Sequence, residues 1–239
     1  MDNLTNKNAL VTGGSKGIGL GIAEAMVRAG MNVAITARNR DEVKSAAKQL
    51  SSTGPGEAMG IPCDVRDLEQ QRSVVTKLIE SFGSLDVVIA NAGVGAFGAI
   101  DELPVEDWHA VIDTNLTGVF YTVKATVDEL KKSSGYLITI GSLAGTNFSA
   151  GGAAYNASKF GLTGFSQAVM LDLRRLGVKV STIMPGSVST HFRANTPSQS
   201  DAWKIQPEDI GEMVIYLLNT PARTLPSKIE VRPSRPPSA

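Results

Sequence analysis

Tyr155 and Lys159 stand four positions apart in the stretch Y-N-A-S-K. The residues after them carry helical periodicity. At that spacing two side chains leave the same helical face, with Cβ atoms about 5–6 Å apart. A free phenol, with a pKa of about 10, is a poor acid or base near neutrality. An ammonium group held beside it favours the phenolate and brings the proton into working range. The pair is thus a candidate proton donor for a carbonyl oxygen. Such pairs also occur on ordinary solvated helix faces, so the reading depends on what the chain places beside them. A second chemical feature is G-G-S-K-G-I-G, from Gly13 to Gly19. Glycines let the backbone turn tightly and approach a pyrophosphate, and a helix that follows offers free N–H groups and positive potential to the phosphates. The alternative is a purely structural turn.

These groups need elements to position them. Short apolar runs predict strands at 8–12, 32–37, 59–63, 85–90, 136–140 and 178–184, with a last short strand at 228–231. Helical spacing predicts helices from Leu20 to Gly30, from the Asn39 cap to Leu50, and over 68–82, 153–176 and 207–219. Residues 105–130 read as a helix in two pieces that meet near Asn115. Strands that alternate with helices and lack polar interruption argue an α/β fold with a parallel sheet covered on both faces. In such sheets ligands sit outside the carboxyl ends of the strands. Gly13, Gly17, Asn91, Ser142 and Pro185 all fall just past such ends, so they should converge on one crevice.

The glycine spacing, T-G-G-S-K-G-I-G, resembles the T-G-x-x-x-G-x-G signature of the short-chain dehydrogenase/reductase family. Five further segments resemble that family's motifs in order: N-A-G at Asn91–Ala92–Gly93, T-N-L-T-G around Asn115, I-G-S ending at Ser142, Y-N-A-S-K, and P-G-S-V-S-T from Pro185 to Thr190. The resemblance implies a single-domain Rossmann-type doubly wound parallel sheet over residues 1–239, with helices on both faces. It implies that Tyr155 gives a proton to the substrate oxygen as hydride reaches the carbon. Lys159 would lower the phenol pKa and hold the nicotinamide ribose, Ser142 would hydrogen-bond the same oxygen, and Asn115 would hold a water in a proton relay. Cofactor contacts would come from Gly13, Ser15, Lys16, Gly17, Ile18 and Gly19, then Asn91, Ala92 and Gly93, then Pro185, Gly186, Val188 and Thr190. Physical logic agrees: an alkoxide forming in a dry pocket needs preorganised donors, and a Ser beside a tuned Tyr supplies two. Taken singly, Ser142 also fits a strand-end hydroxyl satisfying the backbone, and Asn115 a kink or cap residue.

The cofactor narrows to NADP(H) in preference to NAD(H). A fold that selects NAD places an acid on the ribose 2′-hydroxyl near the end of the second strand. Here Arg38 follows that strand and the first carboxylate is Asp41. Arg38 suits a 2′-phosphate, bidentately if geometry allows, and Lys16 adds a second positive charge. Asp64 and Val65 resemble the family's adenine-contacting pair, with Asp64 equally suited to capping the next helix.

The totals bound the rest. The chain has 239 residues, 42% of them hydrophobic, and 23 basic against 23 acidic side chains, which gives no basic excess for nucleic acid. Cys63 is the single cysteine, which excludes an internal disulfide and a multi-cysteine metal site, and no metal is expected. The apolar stretch 85–100 is broken by Asp86, Asn91 and glycines, so no membrane span is expected. The N-terminus does not read as a signal peptide, and a cytoplasmic protein is expected. His109 reads as surface or packing, and His191 as a candidate substrate contact. Phe97, Phe148, Phe192 and Trp203 could line an apolar pocket beside a substrate loop at about 187–206. A proline-rich tail from 232 to 239 reads as loose.

The expected activity is interconversion of a small-molecule carbonyl and its alcohol. A 3-oxoacyl-[acyl-carrier-protein] reductase is the alternative. Against it, the chain closes S-K-I-E-V-R-P-S where those reductases carry a V-D-G-G-like end, and the substrate loop has no basic cluster for an acidic carrier. A non-catalytic NADP(H)-binding protein would be expected to have lost Tyr155 or Lys159, and both are present. The resemblance also implies a homodimer or homotetramer built through the helices at 105–130 and 153–176.

Overall fold

The computed structural model describes residues 4–192 and 196–236. Seven parallel strands form one sheet in the order β3-β2-β1-β4-β5-β6-β7. They are β1 Asn8–Thr12, β2 Asn32–Ala37, β3 Ala58–Pro62, β4 Val87–Ala90, β5 Tyr136–Ile140, β6 Lys179–Pro185 and β7 Lys228–Val231. Side-chain alternation divides the core between two faces. Val11, Ile35, Ile89, Ile138 and Ile183 point to one apolar cluster, while Leu10, Ala34, Val88, Leu137 and Val180 point to the other. Helices α1 Gly17–Arg28, α2 Arg40–Leu50 and α7 Pro207–Leu218 cover the first face. The second is covered by α3 Leu68–Phe82, α5 Gly118–Ser133 and α6 Ala153–Leu173. Strand order reverses between β1 and β4, and the crevice for a ligand opens there.

Local chemistry sets the helix ends. Asn39 Oδ1 accepts from the N–H groups of Asp41 and Glu42, both at 3.0 Å, and starts α2. Gly83, at φ +85°, closes α3 in the left-handed region that a glycine adopts without a Cβ clash. The kink expected near Asn115 is a π turn, Asp113–Thr117, between α4 Val105–Ile112 and α5. Helix 153–176 ends its last turn, Arg174–Leu176, as a 3₁₀ turn.

Small differences from the sequence reading have local causes. β4 begins at Val87, and Asp86 before it donates its N–H to the Asn8 carbonyl at 2.9 Å and accepts from Tyr136 N–H at 2.8 Å. Its carboxylate accepts from Asn8 N–H at 3.0 Å and pairs with Lys7 Nζ at 2.7 Å. β3 lies one residue earlier than expected, and its register pairs Val33 with Ala58. The expected cap on α3 moves from Asp64 to Asp67, whose Oδ1 accepts from Glu69 N–H and Gln70 N–H at 2.9 and 3.1 Å. No helix among the described residues is long and apolar enough to cross a membrane.

Candidate active site

The loop after β1 is bent by two left-handed glycines, Gly13 at φ +65° and Gly17 at φ +56°. Packing also demands their small size. A Cβ on Gly13 would fall 2.9 Å from Ala92 Cα, and one on Gly17 would fall 3.3 Å from Thr190 Cγ2. The loop is therefore held between the segment after β4 and the segment after β6. α1 has Lys16 at its cap position and no side-chain cap, as is also true of α4 and α6, whereas α2 and α3 are capped by Asn39 and Asp67. Its first N–H groups are left for an anion. In the same cleft Thr36 Oγ1 is buried with no hydrogen-bond partner among the described residues.

Behind the loop lies a scaffold of fixed polar contacts. Thr12 Oγ1 accepts from Asn91 N–H at 3.0 Å and Ala92 N–H at 3.1 Å. Asn91 Nδ2 donates to the carbonyls of Thr12 and Gly13 at 2.9 and 3.0 Å. Both amide hydrogens of Asn91 are thus engaged with the glycine loop, and its side chain positions that loop.

Tyr155 and Lys159 leave the first turns of α6 on one face, as their spacing predicts. Lys159 Nζ lies 5.7 Å from the Tyr155 ring centroid and donates to the Ile140 carbonyl at 3.0 Å. Burial pushes the Lys159 ammonium down to about 8. It remains largely charged at neutral pH, so it favours a phenolate nearby. Ser142, just past β5, accepts from Ala144 N–H at 3.1 Å and so caps the 3₁₀ turn Leu143–Gly145. Having accepted there, its hydroxyl keeps an O–H to donate. The strand-end reading of Ser142 is what the structure shows, and its O–H is left able to donate to a ligand.

Asn115 is 1% exposed. Its Oδ1 accepts from Val94 N–H at 2.8 Å, and its Nδ2 donates to Val94 O at 2.9 Å and Ser158 Oγ at 3.0 Å. Ser158 in turn donates to the Tyr155 carbonyl at 2.8 Å. The side chain is a clamp between the π turn, the loop after β4 and α6. A water relay through this residue would have to use another of its atoms.

These groups share one cleft of about 1580 Å³. That exceeds the roughly 300–1,000 Å³ of a site for one drug-sized molecule and leaves room for a dinucleotide with a substrate. All the residues expected as catalytic or cofactor-binding line it except Gly19 and Asn115. Gly19 is turned inward: a Cβ there would fall 2.3 Å from the Gly13 carbonyl. Its role is close packing of helix against loop.

Arg38 is exposed at the end of β2 and lines the cleft, as does Lys16. Asp64 does not cap α3. Its carboxylate pairs with Arg66 at 2.6 Å, and that hydrogen-bonded guanidinium holds it below the usual carboxylate range. Cys63, at the cleft wall, is buried, and burial with nearby Asp64 and Asp67 pushes its thiol up to about 12.

Two of the four expected aromatics line the cleft. Phe97 and Phe192 both pack against Tyr155, with ring centroids 5.2 and 5.6 Å from its own. A Cβ on Gly95 would fall 2.5 Å from Phe192 and 2.8 Å from Phe97, so a side chain there would push one of the rings aside. Phe148 is 86% exposed, and neither it nor Trp203 lines the cleft. His109 is exposed on α4, and His191 lines the cleft. The substrate loop is pinched at its base, where Val188 and Ile205 form a parallel bridge. Residues 193–195 of that loop and 237–239 of the tail lie outside the described residues. Within the described part of that tail, Pro233 packs close to Gly186.

Three contributors were not foreseen. Ser158 and Asn156 brace the first turns of α6. Asn156 Nδ2 donates to the carbonyls of Ala144 and Asn147, both at 2.8 Å. Ser158 lies three residues from Tyr155 on the same helix, which was a usable signal; nothing local marks Asn156. The third is Glu42, whose carboxylate reaches the glycine loop and accepts from Ser15 Oγ. Its signal was an acid in the first turn after β2.

Residues 7–201 match the family model for short chain dehydrogenases. An uncharacterised oxidoreductase of Staphylococcus aureus strain MRSA252 is 36% identical over 234 residues, covering 98% of this chain and all of that protein. Among solved structures, an alcohol dehydrogenase from the archaeon Thermococcus sibiricus, complexed with 5-hydroxy-NADP, superposes with a TM-score of 0.91 at 31% identity. The match covers 98% of this chain and 99% of that one. A metagenomic short-chain oxidoreductase in complex with NADP gives 0.84 at 32% identity, with the same coverage.

Proposed function

The chain belongs to the short-chain dehydrogenase family, and from that premise we propose that it is an NADP(H)-dependent oxidoreductase interconverting a carbonyl with an apolar flank and the corresponding alcohol. One observation carries the reading. Tyr155, Lys159 and Ser142 line the same cleft as the uncapped, glycine-bent start of α1. The N–H groups at the start of α1 would hold the pyrophosphate, Arg38 and Lys16 the 2′-phosphate, and Lys159 the nicotinamide ribose. Asp64 and Val65 would border the adenine, and the segment from Pro185 to Thr190 would close over the dinucleotide. When bound, the dinucleotide supplies or accepts the hydride.

The protein's own residues manage the proton and the oxygen. Tyr155 hands its phenolic proton to the substrate oxygen in reduction and takes it back in oxidation. Lys159, charged below about pH 8, favours the phenolate that results. Ser142 donates to the same oxygen as its negative charge develops. Phe97 and Phe192 exclude water from the phenol and present carbon surface to the substituents of the carbonyl. That environment favours apolar ketones and aldehydes over charged ones. The NADP(H) preference is supported by Arg38 on the cleft and by two similar proteins solved with NADP-type ligands.

Purified protein should oxidise NADPH, followed at 340 nm, with members of a panel of apolar ketones and aldehydes. Tyr155→Phe should lower kcat by at least about 100-fold, within the range of lost proton transfer, while NADPH still binds. Loss of binding together with turnover would mean that Tyr155 is structural and would overturn its assignment.

We also propose self-association through the outer faces of α5 and α6, where Phe120, Phe160 and Leu171 are 43%, 43% and 53% exposed. A cytoplasmic setting is consistent with the single free cysteine.

A further inference from the structure

Glu42 stands where the adenosine end of the dinucleotide would lie, and its contacts conflict with a simple preference for a 2′-phosphate. Its backbone N–H is held by the Asn39 cap at 3.0 Å, so the side chain starts from a fixed point in the first turn of α2. The helix N-terminus stabilises a carboxylate there. That carboxylate crosses to the glycine loop, where it accepts from Ser15 Oγ and lies 3.9 Å from Lys16 Nζ. Ser15, Lys16, Arg38 and Glu42 all line the one cleft. Two of the three groups able to receive an anion at this end are therefore already facing a carboxylate.

We propose that Glu42 is a specificity-determining residue that opposes Arg38, weakening NADP(H) and favouring NAD(H) by occupying Ser15 and Lys16 in place of a 2′-phosphate. The inference rests on the reading of this cleft as a nicotinamide dinucleotide site. A 2′-phosphate has to displace the carboxylate from Ser15, or share Lys16 with it at the cost of like-charge repulsion. A ribose 2′-hydroxyl meets no such conflict, because it can donate to the carboxylate. Arg38 acts in the opposite sense. Among the described residues it has no ion-pair partner, and it offers a planar fork to a phosphate. The balance of the two side chains, one at the end of β2 and one a turn into α2, would set the cofactor ratio.

The test is direct binding, independent of any substrate. Dissociation constants for NADPH and NADH would be measured by fluorescence titration on the full chain, for the parent, Glu42→Gln and Arg38→Asp. Glutamine keeps the size of Glu42 and can still accept from Ser15, so the fold should hold; circular dichroism checks it, and Glu42→Ala gives a second variant. Glu42→Gln should tighten NADPH about five- to tenfold, the scale of one like charge removed from a half-exposed site. NADH should be unchanged or slightly weaker. A Kd ratio within twofold of the parent in both Glu42 variants would overturn the proposal. Arg38→Asp separates it from its premise. If Arg38→Asp leaves the ratio unmoved, the assignment of Arg38 to a 2′-phosphate falls; if neither dinucleotide binds the parent, the dinucleotide reading falls and takes the proposal with it.

Discussion

At Lys159 the proposed chemistry works against stability. The residue is 5% exposed, and burial takes its pKa from 10.5 to about 8. In the unfolded chain the amine keeps its proton to about pH 10.4. Between pH 8 and that value the unfolded state binds more protons, so stability from this residue rises with pH across that window. Below pH 8 both states carry the ammonium, and burying it carries its full penalty, about 3 kcal/mol for a shift of this size. The bond to the Ile140 carbonyl offsets part of it. Lys159→Met should therefore abolish turnover yet stabilise the ligand-free fold by about 1–3 kcal/mol at pH 7.5. That gain should shrink as pH climbs toward 10. Urea unfolding of parent and variant at the two pH values measures it, and a variant less stable than the parent at pH 7.5 would refute the account.

At the scale of elements, the contact of α1 with α7 decides how the phosphate loop is held. The two helices meet backbone to backbone. A Cβ on Gly21 would fall 2.7 Å from the Pro207 carbonyl group, and one on Gly211 would fall 2.6 Å from Gly21 O. Neither glycine has positive φ, so their role is space. Gly21→Val would push α7 outward at a cost of about 1–3 kcal/mol, an overpacking penalty with little flexible side chain to absorb it. A chain of this length should then lose about 2–12 °C in Tm. Since α1 begins at the phosphate loop, NADPH affinity should fall with it. A thermal scan together with a cofactor titration checks both; an unshifted Tm would mean that the helices can separate freely. The elements themselves were largely legible in the sequence. Asn39, Gly83 and the apolar runs act within a few residues, and β1, β2, β5, β7, α2 and α3 lie where periodicity puts them. The cap on α3 was less so, since Asp64 and Asp67 are both suitable and the choice depends on Arg66 taking the first.

For the whole molecule, the sheet buries both faces and leaves apolar surface on the far side of α5 and α6. Phe120 packs edge-on against Phe165, with centroids 6.3 Å apart, and is still 43% exposed. Apolar groups clustered on helix faces mark association surfaces. Sedimentation velocity at micromolar concentration should report a dimer or tetramer, and a monomer there would refute it. What the sequence by itself determined is the set of parallel strands and covering helices, the strand ends past which Gly13, Asn91, Ser142 and Pro185 fall, and the shared helical face of Tyr155 and Lys159. Those follow from periodicity, turn residues and strand direction, which are local. Only the tertiary structure decided which polar groups meet: Asn115 with Val94 and Ser158, Phe97 and Phe192 around Tyr155, and Glu42 with Ser15. Each of these contacts joins segments far apart in the chain. Their meeting depends on strand order and on the exact approach of loop to loop, and no local propensity encodes that approach.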